Sequence, residues 1–231
     1  MKNYLIIGGS SGIGLQLAQQ LAASGNTVFA TYFNNTQENT ANIQFFNLNV
    51  LDENIDLNFL PAEIHGIAYC PGSINLKSFA RVKPEAFVED YQLQVVGAIK
   101  VIQAALPRMK AASAASVVLF STVAVQSGFN FHSIVSASKG ALEGLTKALA
   151  AEFAPVIRFN CVAPSITDTP LAKSLLSTEE KKQASALRHP MKKVGEASDI
   201  ANIAEFLLSE KSGWITGQIF HVDGGMSTLK V

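Results

Sequence analysis

Short apolar runs alternate with longer stretches in which apolar positions recur every three or four residues, from one end of the 231-residue chain to the other. The short runs predict buried strands at 4–7, 27–32, 43–48, 66–70, 117–121, 156–162 and 218–222. The longer stretches predict helices at 13–23, 85–110, 136–153 and 197–209, with Gly25, Pro71-Gly72 and Pro155 as punctuation. No repeat or low-complexity linker interrupts the rhythm. Parallel strands cannot be joined by tight turns, so seven strands separated by helix-length crossovers imply a parallel sheet covered on both faces. The expectation is an α/β fold: one domain over 1–231, three layers, a doubly wound sheet of about seven mainly parallel strands, and a ligand crevice at the strands' carboxyl ends.

Composition sharpens this picture. Hydrophobic residues make up 48% of the chain and charged residues only 16%, against about 25% charged in ordinary soluble domains. Much of the chain is therefore expected to be buried, and disorder is not expected. Eighteen Lys and Arg balance eighteen Asp and Glu with no basic cluster. The attraction that draws proteins to nucleic acid or anionic membranes is missing, so the expected partners are small molecules and copies of the chain itself. Cys70 and Cys161 stand far apart, with no metal-type spacing near His, and read as small buried side chains rather than a disulfide or a metal site. The apolar run 4–7 halts at Gly8-Gly9, too short for a secretory signal, and no run reaches the ~18 residues of a membrane span. A cytoplasmic location is expected.

The first chemical signal is Gly8-Gly9-Ser10-Ser11-Gly12-Ile13-Gly14, placed after the first strand and opening the first helix. Free backbone N–H groups and the helix dipole at such a point favour a pyrophosphate, and the glycines permit the tight turn. The spacing differs from the general G-x-G-x-x-G fingerprint, and an ordinary glycine-rich turn is the alternative. Position after an N-terminal strand favours a Rossmann-type dinucleotide site.

This loop resembles the cofactor loop of the short-chain dehydrogenase/reductase family. Ser136-Ala137-Ser138-Lys139 resembles the second half of that family's Tyr-Ser-Ala-Ser-Lys segment. The stretch from Asn160 through Pro164-Ser165-Ile166 to Thr169 resembles its Asn-x-x-x-Pro-Gly-x-x-x-Thr segment, and Trp214 to Gln218 with Val222-Asp223-Gly224-Gly225 resembles its C-terminal strand region. The matches follow the family's order across nearly the whole chain. The resemblance implies an NAD(P)(H)-dependent oxidoreductase interconverting a carbonyl and an alcohol. It places Gly8, Ser10, Ser11, Gly12, Ile13, Gly14, Asn49, Val50, Gly72, Lys139, Pro164, Ser165, Ile166 and Thr169 around the cofactor.

The second strand ends in Thr31-Tyr32-Phe33-Asn34-Asn35 without the acid that selects NAD by bonding the ribose 2′-hydroxyl. Asn34 and Asn35 are neutral donors for a 2′-phosphate, which favours NADP over NAD, although Ser11 stands where the family's NADP users often carry a base. Asn49-Val50 matches the family's Asp-Val pair near adenine.

In the family, the proton donor is a Tyr four residues before a Lys whose ammonium favours the phenolate and grips the nicotinamide ribose. Lys139 fits the lysine, but Val135 stands at the tyrosine position and has no ionisable proton. The polarising Ser maps to Thr122, the Asn of Asn-x-x-Gly maps to Gln94, and the Asn-Ala-Gly segment reads Cys70-Pro71-Gly72. Three readings follow. A substitute acid, either His132 or a water held by Lys139 and Thr122, completes an oxidoreductase; or the protein binds a dinucleotide without turnover, as a sensor or structural subunit; or it is a non-redox enzyme. General acid catalysis contributes about 10²–10⁴-fold, less than proximity, so losing the tyrosine slows an enzyme without abolishing it.

The substrate region is expected over 122–133 and 169–190, with Phe129, Phe131, Leu171, Leu175, Leu176 and Leu187 as an apolar lining under a mobile lid. Lys181-Lys182 and Lys192-Lys193 read as solvated faces. Ala137, Gly140, Ala141, Gly144 and Ala148 make a stripe of small residues, which suits close helix contact in a homodimer or homotetramer or, equally, against the chain's own sheet.

Overall fold

The computed structural model describes residues 1–230. Its elements run β1 (Asn3–Ile7), α1 (Gly12–Ala23), β2 (Thr27–Tyr32), β3 (Ile43–Asn47), β4 (Gly66–Tyr69), α2 (Pro84–Tyr91), α3 (Gly97–Ala111), β5 (Ala115–Phe120), α4 (Ala124–Ser127), α5 (Ser133–Phe153), β6 (Ile157–Pro164), β7 (Thr167–Asp168), α6 (Glu179–Leu187), β8 (Gly195–Glu196), α7 (Ala197–Leu208) and β9 (Ile219–Val222). Seven strands form one parallel sheet in the order β3-β2-β1-β4-β5-β6-β9. This is the doubly wound, Rossmann-type arrangement that the alternation predicts. The order reverses between β1 and β4, and the crevice of such sheets opens there.

The period-2 pattern of the strands splits the core in two. Along β1, Leu5 and Ile7 face one layer, where Val101, Ile102 and Met109 of α3 and Leu142 of α5 pack. Tyr4 and Ile6 face the other, against Leu17 and Leu21 of α1 and Ile200, Ala204 and Leu207 of α7. Both faces of each central strand are thus buried, which is why these strands are continuous apolar runs rather than alternating ones.

The helix expected over 85–110 is broken in its register. A π-helical turn over Gln92–Val96 separates α2 from α3 and buries Gln94. One extra residue in the turn redirects the side chains without stopping the helix, so apolar periodicity alone does not reveal it. Helix α5 begins at Ser133, three residues before the expected start, and places Val135 in its first turn. The parallel pair β7–β8 holds both ends of residues 169–194 together through the partners Thr167↔Gly195 and Asp168↔Glu196. That excursion contains α6, none of whose residues is buried.

The interior is closely matched at Gly97, where α3 crosses β4. A Cβ there would be driven into the hydroxyl of Tyr69 and would stand 3.2 Å from Val50, while the same hydroxyl donates to the Leu93 carbonyl at 2.5 Å. Gly97→Ala is expected to lower stability by about 1–3 kcal/mol through overpacking, read as a fall in the urea midpoint at constant slope.

Candidate active site

The glycine turn sits at the carboxyl end of β1. Gly8 and Gly12 have φ of +71° and +52°, a region that L side chains rarely enter. Gly14 has an ordinary φ but no room, because a Cβ on it would overlap the Gly8 carbonyl oxygen. Thr31, buried in β2, accepts a hydrogen bond from the Gly8 N–H at 3.1 Å and fixes the turn to the sheet. Helix α1 has no side-chain cap at Ser11 and no acid in its first turn, so its leading N–H groups and positive dipole end are left for an anion.

Two adjoining cavities meet at this turn. The first, about 400 Å³, is lined by Gly8, Ser10, Ser11, Gly12, Ile13, Gly14, Asn49, Val50, Gly72 and Thr169, with Tyr32, Phe33 and Leu51. The second, about 440 Å³, is lined by Thr122, His132, Val135, Lys139, Pro164, Ser165, Ile166 and Thr169, with Phe129, Leu171, Leu175 and His189. Ile13, Cys70, Gly72, Thr169 and Leu171 border both, so the two form one cleft along the strand ends.

Most sequence-predicted site residues therefore meet in this cleft. Asn34 and Asn35 do not line it, and the Asn35 amide instead donates to the Ser10 carbonyl at 3.1 Å. Asn49 lines the cleft with its amide group already engaged, donating to Asp52 at 2.7 Å and accepting from the Leu51 N–H at 3.1 Å. Of the expected apolar lining, Phe129, Leu171 and Leu175 border the cavity. Phe131 and Leu187 are exposed, and Leu176 stands outside the lining. The Arg188 guanidinium lies 5.7 Å from the centre of the Phe129 ring, and both residues line the cavity.

Val135 and Lys139 lie one helical turn apart on the buried side of α5, with Val135 offering only methyl groups to the cavity. Thr122 lines the same wall, and its hydroxyl accepts from the Ala124 N–H at 3.3 Å. His132 stands at the N-cap of α5 with its Nδ1 donating to the Asn130 carbonyl at 2.8 Å. Asn160, part of the recognised segment, is structural: its side chain donates to the Ile215 carbonyl at 3.0 Å and accepts from the Gln218 N–H at 3.1 Å.

Lys139 is 8% exposed, and its Nζ has no hydrogen-bond partner among the described residues. A Cβ on Gly72 would stand 3.6 Å from that Nζ and 3.5 Å from Gln94 Oε1, which is buried and unpartnered. Gln94 donates its amide to Asp90 at 2.7 Å, and Ser73 bonds the other oxygen of the same carboxylate. The resemblance identified Gln94 but gave no sign of this Asp90 network, whose members lie in two separate segments, at Ser73 and at 90–94.

Burial pushes the Lys139 ammonium down to about 8, and Cys161, Asp90 and Cys70 offset only part of the effect. The displacement from 10.5 to about 8 corresponds to about 3 kcal/mol against the charged form. A lysine with a depressed folded value destabilises most below about pH 8, where both states are charged, and the cost disappears as pH rises towards 10.5. Lys139→Met is expected to be more stable than the wild type by up to ~3 kcal/mol at pH 7, with the gap closing by pH 10.5. Urea unfolding of both proteins across that range checks the sign.

Comparison with known proteins agrees with this geometry. The family model described as enoyl-(acyl carrier protein) reductase matches residues 56–227. A tropinone reductase homolog of Arabidopsis thaliana is 30% identical over 242 residues, covering 97% of this chain and 92% of its own. The 3-oxoacyl-[acyl-carrier-protein] reductase MabA of Mycobacterium tuberculosis is 29% identical over 235 residues, with 97% and 92% covered. Among solved structures, ElxO with NADP bound superposes with a TM-score of 0.90 at 30% identity over 99% of each chain. The ligand-free aldohexose dehydrogenase of Thermoplasma acidophilum shares the fold, with a TM-score of 0.91 at 24% identity over 99% of this chain and 95% of its own. With its parallel sheet, its glycine turn at the switch point and the matched segments in order, the chain belongs to the short-chain dehydrogenase/reductase family of oxidoreductases.

Proposed function

We propose that the protein is an NADP(H)-dependent oxidoreductase that interconverts a carbonyl and an alcohol on a small, apolar substrate. The observation that carries this reading is the single cleft in which a glycine turn leads directly to the buried Lys139, whose ammonium has no hydrogen-bond partner among the described residues.

The residues fit a dinucleotide. Only glycine at positions 8, 12 and 14 permits the turn, and the leading N–H groups of α1 suit a diphosphate. The cleft wall near Tyr32 and Phe33 holds no carboxylate, so nothing there repels a 2′-phosphate. ElxO, similar over its whole length, is a protein solved with NADP bound. Lys139 would hold the nicotinamide ribose, and Pro164, Ile166 and Thr169 would border the ring. When bound, NADPH supplies the hydride for the carbonyl carbon.

The chain itself must polarise the carbonyl and manage the proton. Thr122 offers a hydroxyl to the carbonyl oxygen from the cavity wall, and Lys139 adds positive potential from below. Phe129, Leu171, Leu175 and Ile74 surround the substrate with hydrocarbon, excluding water and strengthening both interactions. Val135 donates nothing, so the proton comes from another group at the cavity: His132, a water held by Lys139 and Thr122, or the Ser165 hydroxyl beside His189.

Self-association into a homodimer or homotetramer is part of this proposal. Ala137, Gly144 and Ala148 of α5 are exposed rather than turned to the chain's own sheet, leaving a small-residue surface that suits another helix. Light scattering at micromolar concentration is expected to give a multiple of 24.6 kDa; the monomer mass removes this part.

The reading as a whole is tested by titrating NADPH fluorescence and then following NADPH oxidation with 9,10-phenanthrenequinone and ethyl acetoacetate. NADPH is expected to bind and to be oxidised by the wild type, and Lys139→Ala to weaken binding about tenfold or more. Binding without turnover until Val135→Tyr is introduced favours the dinucleotide-binding pseudoenzyme instead. Absence of binding by either NADPH or NADH at millimolar concentration ends both readings.

A further inference from the structure

The fold joins two side chains that stand 24 residues apart in sequence. His189 is 2% exposed, with its Nδ1 2.8 Å from the Ser185 carbonyl oxygen and its Nε2 2.8 Å from Ser165 Oγ. A carbonyl oxygen only accepts, so Nδ1 carries a hydrogen, and in the neutral ring Nε2 must accept the Ser165 hydroxyl hydrogen. In the imidazolium both nitrogens donate. The ring is held on a third side by Gly224, where the chain passes with φ +60° and a Cβ would stand 3.6 Å from His189 Cδ2. Ser165 and His189 line the same cavity as Thr122, Val135 and Lys139.

We propose that Ser165 and His189 form the proton relay of this cavity, replacing the donor that Val135 lacks; the proposal rests on the oxidoreductase reading above. In reduction, the carbonyl carbon gains a hydride and its two electrons, and the O–H bond of Ser165 breaks to give its proton to the substrate oxygen. Ser165 Oγ recovers a proton from Nε2 of the His189 imidazolium and the ring becomes neutral; after the alcohol leaves, water entering the cavity gives a proton to Ser165 Oγ, which passes its own to Nε2. Alcohol oxidation runs the same transfers in reverse, with neutral Nε2 receiving the proton through Ser165.

Three features favour this pair. Imidazole offers one nitrogen that donates and one that accepts, which suits it to passing a proton in both directions. The bond to the Ser185 carbonyl fixes the ring's orientation and tautomer, so Nε2 is already aimed at Ser165. His132, by contrast, makes its ring bond to the Asn130 carbonyl and none to another cavity-lining side chain among the described residues. Ser165 follows Pro164 at the end of β6 and is positioned by a rigid strand, and His189 reaches it from the segment just after α6, so the pair is already in contact.

The first test needs no cofactor. In protein carrying ¹⁵N-histidine, long-range ¹H–¹⁵N spectra are expected to show His189 with a protonated Nδ1, and Ser165→Ala is expected to shift Nε2 while Nδ1 stays. The second follows NADPH-dependent reduction of 9,10-phenanthrenequinone. Ser165→Ala and His189→Gln are expected to lower kcat about 10²–10³-fold with the KM for the quinone within about twofold. Ser165→Thr, which keeps the hydroxyl, is expected to retain most turnover, and adding Val135→Tyr to Ser165→Ala is expected to restore it, which repair of a merely structural defect would not do. A Ser165→Ala enzyme as fast as wild type, or an Nε2 resonance indifferent to that change, overturns the relay while the oxidoreductase reading stands. Loss of turnover in His132→Ala with Ser165→Ala unaffected assigns the proton to His132. A wild type that binds NADPH yet reduces neither carbonyl probe overturns the oxidoreductase reading and the relay with it.

Discussion

The passage of Gly14 beneath the Gly8 carbonyl is the constraint on which the site depends. It lets α1 start directly against β1, with Thr31 anchoring the Gly8 N–H from the neighbouring strand. A side chain at Gly14 would push the helix away and withdraw its leading N–H groups from the cleft. Everything downstream is arranged around that point: the strand order reverses between β1 and β4, the cleft opens above the reversal, and the loop after β7 folds back until Thr169 touches Gly12. The two hydrophobic layers supply the rigidity that makes such close approach reproducible.

Lys139 is where the scaffold gives up stability by burying a charge. A solvated lysine is comfortable, whereas this one is buried at the base of the cleft with no hydrogen-bond partner for its Nζ among the described residues and with the Asp90 carboxylate only partly offsetting its desolvation. Asp90 is itself held by Ser73 and Gln94, so the negative charge stays in place rather than collapsing onto the ammonium. An anionic or polyhydroxylated ligand is the natural complement to such a group. Val135, one turn away, has no proton to give, while Ser165 and His189 meet elsewhere on the lining of the same cavity.

The sheet was legible because its central strands are buried on both faces and read as unbroken apolar runs, and the glycine turn was legible because steric demands there are absolute. Lys139, Thr122 and the segment from Pro164 to Thr169 followed from resemblance, and the fold brings them into one cleft. Other features depend on contacts that no local pattern encodes. The π turn at Gln92–Val96 keeps apolar spacing nearly intact while turning Gln94 inward. Asn34 and Asn35 follow the right strand, yet the chain beyond β2 curls so that Asn35 bonds the glycine loop instead of facing the cleft. His189 becomes meaningful only after the excursion between β7 and β8 closes over the sheet, and the one local hint was Ser165 in place of the family's glycine.

The central claim is that main-chain N–H groups of the glycine turn hold the diphosphate of a pyridine dinucleotide, with Lys139 at the adjoining sugar. Amide ¹H–¹⁵N spectra recorded during addition of NADP⁺ test it most directly. The account predicts the largest shifts at Ser11, Gly12, Ile13 and Gly14, with Gly72 and Lys139 responding in the same titration. Shifts confined to other surfaces, with the resonances of 11–14 unmoved at saturation, would contradict it.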